Sequence, residues 1–231
     1  MNRLALRLGT WSAFLIAVDF ILYTVCFLAT VMSPPIFVWT TLAEYAAYVA
    51  THGSFFRDAA MFLVLIFGPL LVVLLAALHE QARAEQKILT RISLGFGLAF
   101  AVLADINYFV QLSSVRQSIL HGQLTGLEQM VQANPMSAMT GLNMLGWSVF
   151  LGLASLFVAP VFGDGRLEKS IKALWVLNGL CCLLGGLSYI YEFSLGVFLF
   201  ITFGMGGAVT VATLLIGVWF RRLSRSSVAA A

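Results

Sequence analysis

The sequence predicts an all-α bundle of six transmembrane helices with two amphipathic helices in the outer loops, forming a single integral membrane domain over residues 1–231. Three observations predict it. Of the 231 residues, 61% are hydrophobic and only 10% are charged, with a mean hydropathy of +0.96. A soluble domain of this size needs far more charge to cover its surface. The apolar residues gather into six runs of about 18 or more, the length that crosses a bilayer at a rise of ~1.5 Å per residue. The basic residues stand at the ends of those runs, so the net charge of +3 reads as a topology signal and not as a nucleic-acid surface.

The first span is expected over Trp11–Val31, ahead of Ser33-Pro34-Pro35. Arg3 and Arg7 before it resemble a signal-peptide head, but the run is too long and, with Asp19, too polar for a cleaved segment. The second span is expected over Asp58–Leu78, with Gly68-Pro69 near its centre, where the missing backbone donor predicts a kink. A polar connection, His79 to Arg91, leads to a third span over Ile92–Val115. Asn134-Pro135 offers a cap and first-turn pair for the fourth, Met136–Phe162. Gly163-Asp164-Gly165 turns the chain towards the fifth, Ala173–Tyr191. The sixth, Val197–Phe220, follows a few residues later, so the last two spans form a tight hairpin.

Orientation follows from the positive-inside rule. With both termini cytoplasmic, the inner segments hold Arg3, Arg7, Arg83, Lys87, Arg91, Arg166, Lys169, Lys172, Arg221, Arg222 and Arg225, which is 11 of the 13 bases. Only Arg57 and Arg116 fall outside. Between Pro35 and Arg57 the apolar residues Val38, Trp39, Leu42, Ala46 and Val49 recur at helical spacing. Leu120, Leu124, Leu127 and Val131 do the same between Gln117 and Asn134. Both stretches read as amphipathic helices lying on the outer leaflet or capping the bundle. Ser148 with Gly152, and Gly95 with Ala99, carry the four-residue spacing of small residues that lets helices approach closely.

Candidate functional residues come from polar side chains within the apolar runs. Asp19, Asp105 and Glu192 lie about 12, 20 and 28 Å from the inner ends of their spans at ~1.5 Å per residue. No basic residue sits at matching depth. A carboxylate there must be protonated, hydrogen-bonded or holding a cation. Tyr23, Tyr108 and Asn178 lie on the same helical stripes as hydrogen-bond partners. Two readings stay open: a rising series of acids that binds or moves a small solute, proton or cation, or acids that hydrogen-bond helices together. A sensor or partner-binding protein that merely presents its outer lids and inner basic loops is the alternative to a carrier. Beyond the lipid bilayer and such a solute, a second copy of the chain is the other partner considered.

Enzyme signatures fail. His79-Glu80-Gln-Ala-Arg83 places arginine where a zinc-binding helix needs its second histidine, and Gly146-Trp-Ser148 places Phe150 where a nucleophile elbow needs glycine. Cys26, Cys181 and Cys182 fall inside apolar runs as packing residues, and no cofactor or metal is expected. Finally, Asp105-Ile-Asn-Tyr108-Phe109-Val-Gln111, Asn134-Pro135 and Ala159-Pro160-Val161-Phe162 resemble motifs of an uncharacterised family of prokaryotic multi-span membrane proteins. That resemblance covers the third and fourth spans, implies a prokaryotic cell membrane, and carries no residue role with it.

Overall fold

The computed structural model describes residues 2–32 and 35–229, with side chains described as far as residue 226. Helices account for nearly all of it, and no strand occurs among the described residues. Among the described residues, six helices are long and apolar enough to cross a membrane: α1 (Arg3–Met32), α3 (Phe55–Gln81), α4 (Ala84–Leu120), α5 (Ala138–Val161), α6 (Arg166–Ile190) and α7 (Ser194–Ser226). The shortest has 24 residues, about 36 Å at the α-helical rise. The chain is therefore a multi-pass membrane protein. The seventh helix, α2 (Leu42–His52), is short and lies between α1 and α3. Six crossings put both termini on one side, the terminal face; α2 marks the other, the α2 face.

Each long helix packs against its neighbour in sequence, and α1 closes the ring against α7. The centre of this ring is filled by rings of another kind. Trp147 of α5 stacks on Phe67 of α3, with centroids 5.8 Å apart and planes 8° from parallel. Phe20 of α1 meets Phe67 edge-on at 4.8 Å, and Phe100 of α4 meets Trp147 at 4.9 Å. All four side chains are buried. Aromatic groups of this size fix helix positions through many small dispersion contacts. Towards the terminal face, Leu74, Leu78, Val158, Ile171, Trp175, Ile216 and Phe220 extend the same core.

Small residues set the closest helix crossings. A Cβ on Gly179 of α6 would lie 2.9 Å from the carbonyl oxygen of Gly152 on α5, and one on Gly186 would strike Ser148 at 2.5 Å. The expected Ser148 and Gly152 pair thus lies at the α5–α6 crossing. Gly95 faces open space and serves no such contact.

Several boundaries differ from expectation for local reasons. α3 runs unbroken through Pro69 to Gln81, and only two residues separate it from α4. The expected polar connection His79 to Arg91 is therefore mostly helix, with His79 Nδ1 2.6 Å from Thr90 Oγ1 tying the two ends together. α5 is capped by Ser137, whose hydroxyl accepts from the Thr140 N–H at 3.1 Å, and not by Asn134. Asn134 instead turns the preceding loop by accepting from the Met136 N–H at 3.0 Å. The expected stop of the first span at Ser33-Pro34 lies outside the described residues.

Of the two expected outer helices, one exists. Thr41 caps α2 by accepting from the Glu44 N–H at 3.2 Å. The second does not form: α4 continues to Leu120, and the chain then coils through a single 3₁₀ turn, Leu127–Gln129, before α5. Gly122 and Gly126 have positive φ values of 67° and 76°, conformations that break a right-handed helix and that glycine adopts without penalty. The stripe of leucines is still used, because Leu127 and Val131 pack with Leu42, Tyr45 and Val115 in a second core that roofs the α2 face.

Candidate functional site

The three acids do not converge. Asp19 lies midway along α1, only 6% exposed, and makes no hydrogen bond or ion pair among the described residues. Asp105 on α4 is half-buried; its Oδ1 is buried without a partner and would lie 2.7 Å from a Cβ on Gly68 of α3. Because Phe20 follows Asp19 and packs on Phe67, while Asp105 abuts Gly68, both acids stand level with the same turn of α3. Glu192 is not in a span at all. It is exposed in the turn between α6 and α7, in a left-handed conformation with φ of 55°. The rising series of carboxyls is absent.

The expected hydrogen-bond partners serve other groups. Asn178 is fully buried between α6 and α5 and donates to Ser155 Oγ at 2.7 Å. Tyr23 and Tyr108 are electrostatic neighbours. The Tyr108 hydroxyl accepts from Trp147 Nε1 at 3.3 Å and is flanked by Asn143 and Gln132. Asn107 donates to Gln132 Oε1 at 3.0 Å. Gln111 clasps the loop before α5 twice, donating to the Met130 carbonyl at 2.7 Å and accepting from the Gln132 N–H at 3.0 Å. A buried polar network therefore occupies the half of the bundle nearest the α2 face and ties α4, the roof loop and α5 together. Gln132, Asn143 and Trp147 were not among the expected residues. Asn107 and Gln111 stand four residues apart on one face of α4, but their loop partner Gln132 has no periodicity to reveal it.

Gln111 also reaches a cavity. About 360 Å³ of space lies between α2, the start of α3 and the end of α4, with Val49, Met61, Val115, Ile119 and Leu120 as apolar wall. A π-helical turn over Gln111–Val115 bears two of the lining residues, a wider turn of the kind that recurs at functional sites. Charges are concentrated here. Asp58 accepts from the Ser54 hydroxyl at 2.6 Å and pairs with Arg57 and Arg116, each at 3.4 Å. Arg57 also donates to the Tyr45 hydroxyl at 2.7 Å and lies over that ring at 5.6 Å. Its Nε is buried with no partner. Burial pushes the Tyr45 phenol above its ordinary value, and the adjacent Arg57 pulls it back less strongly. Tyr45 is thus a neutral donor and acceptor at the cavity wall.

Two guanidiniums against one carboxylate leave this recess with one excess positive charge. Its volume and its mixture of apolar wall with a few convergent polar groups are those of a small-molecule site. Arg57 and Arg116, the two bases outside the cytoplasmic majority by sequence, meet at a single acid. Nothing in their spacing announces this, since they stand 59 positions apart. Among the described residues no cluster of three metal-ligating side chains occurs. No known protein family, curated protein or solved structure matches the chain.

Proposed function

We propose that this chain resides in a prokaryotic cell membrane with both termini cytoplasmic, and that it binds a small anionic solute with an apolar body in the outward-facing cavity between α2, α3 and α4. The observation that carries the reading is the arginine pair: Arg57 and Arg116 share a single carboxylate, Asp58, in a recess of about 360 Å³ walled by aliphatic side chains. A carboxylate or phosphate would offset the excess positive charge of that pair, and the aliphatic wall would cover its tail. The distribution of bases supports the orientation. The resemblance of the third and fourth spans to prokaryotic membrane proteins supports the location.

The test uses the protein in lipid nanodiscs, with octanoate, octanol and octyltrimethylammonium as probes and calorimetric titration as readout. Octanoate should bind and the other two should not. Arg57→Gln should weaken octanoate by about 10- to 100-fold, the worth of a hydrogen bond to a charged group. Equal binding of octanol, or an unchanged Arg57→Gln affinity, would contradict the proposal.

A second reading, transport of a proton or cation through the bundle, is favoured by the bare Oδ1 of Asp105 at mid-span. Weighing against it, neither Asp19 nor Asp105 lines the cavity, and Phe20, Phe67, Phe100 and Trp147 fill the centre of the ring. Loss of proton- or cation-coupled uptake in proteoliposomes on Asp105→Asn is the outcome it requires.

A further inference from the structure

A separate recess lies on the membrane-facing side of α6 at the terminal face. It is an open, shallow groove of about 510 Å³ lined by Asp164, Lys169, Lys172, Val176, Leu177 and Leu180, with Ala173 between them. The spacing of residues 169, 172, 176 and 180 puts them on one helical stripe, and all are exposed. The turn that carries Asp164 is clamped: Glu168 accepts from the Gly165 N–H at 3.3 Å, and Trp219 of α7 donates to the same carboxylate at 2.9 Å. Asp164 is thereby held at the rim. Neither lysine forms an ion pair among the described residues.

Length and charge together identify the occupant. From Lys169 to Leu180 the groove runs ~16 Å along the helix, close to half of the ~30 Å hydrocarbon thickness of a bilayer. It therefore spans one leaflet, with ammoniums at headgroup level and aliphatic side chains below. Lysines at that level attract anionic headgroups, and their stems lie along the apolar surface. Free phosphate would satisfy the lysines and leave the aliphatic floor without a reason. We infer that this groove is a specific site for an anionic phospholipid, its phosphate between Lys169 and Lys172, an acyl chain along Val176, Leu177 and Leu180, and a headgroup hydroxyl donating to Asp164. The site is independent of the solute cavity, which lies at the opposite face.

The experiment is native mass spectrometry of the full chain released from nanodiscs of phosphatidylglycerol, phosphatidylethanolamine or phosphatidylcholine. Phosphatidylglycerol should be retained over the other two. The double variant Lys169→Gln/Lys172→Gln should lose that retention by on the order of ten-fold, while Lys169→Arg/Lys172→Arg keeps it. Both lysines are exposed, and an unchanged melting temperature confirms an intact fold. Equal retention of all three lipids, preference for phosphatidylethanolamine, or indifference to the Gln substitutions would overturn the site, as would displacement of the lipid by inorganic phosphate alone.

Discussion

At mid-membrane Asp105 keeps a buried Oδ1 without a partner and Asp19 makes no hydrogen bond or ion pair among the described residues, whereas at the α2 face a third acid, Asp58, holds two guanidiniums and a serine hydroxyl. The contrast separates two properties that hydropathy reading merges. Depth in the apolar run makes an acid conspicuous; room beside it makes a site. Beside Asp105, its Oδ1 lies so close to Gly68 that a Cβ there would stand 2.7 Å away. Around Asp58 there is a cavity with Tyr45, Gln111 and both arginines on its wall. A bare carboxyl inside a helix bundle is costly as an anion, while one paired with two guanidiniums beside open space has its desolvation offset by those partners.

Removing the central aromatic should break this contrast most severely. Trp147→Ala is expected to cost about 3–5 kcal/mol, read by thermal unfolding in nanodiscs, because its indole touches Phe20, Phe67 and Phe100 and donates to Tyr108. A loss below about 1 kcal/mol would mean the interior is not packed as described. Next, Gly68→Ala forces its Cβ against Asp105 Oδ1 and should cost about 1–3 kcal/mol. Most of that cost should vanish in the Asp105→Ala background, since contacting residues couple. Additive effects would place Asp105 elsewhere.

Smaller effects sharpen the other side of the comparison. Asp58→Asn removes the one carboxylate that offsets Arg57 and Arg116. Octanoate affinity should rise on the order of five-fold, most at low salt; a fall would show that Asp58 itself contacts the solute. Smallest is Glu192→Gly, which relieves a left-handed backbone at the α6–α7 turn and should add ~0.5–1 kcal/mol of stability without altering binding. Any loss of uptake or binding in that variant would restore Glu192 as a functional acid.

Much of the fold was legible because long apolar runs need no tertiary information. All six spans, the tight α6–α7 hairpin and α2 follow from the length and periodicity of the apolar runs and the turns between them. Ends were read less well, since α4 carries helix on both sides of its apolar centre, from Ala84 to Leu120. The stripe from Leu120 to Val131 has helical spacing yet forms a roof loop, because Gly122 and Gly126 take positive φ and the leucines find their core by tertiary packing. Of the expected site residues, Tyr108 bonds Trp147 and lies beside Asn143, and Tyr23 packs against the Phe20 and Phe27 rings, so neither serves an acid. The cavity was hidden for a different reason. Arg57 and Arg116 looked like exceptions to a topology rule, and only the three-dimensional meeting of α3 with the end of α4 makes them a pair.

The most direct test compares Arg57→Gln with Asp105→Asn side by side, titrating octanoate into each variant in nanodiscs. Loss of binding in Arg57→Gln with near wild-type affinity in Asp105→Asn is the expected result. Wild-type affinity in Arg57→Gln together with lost binding in Asp105→Asn would contradict the account and move the site to the mid-membrane acids.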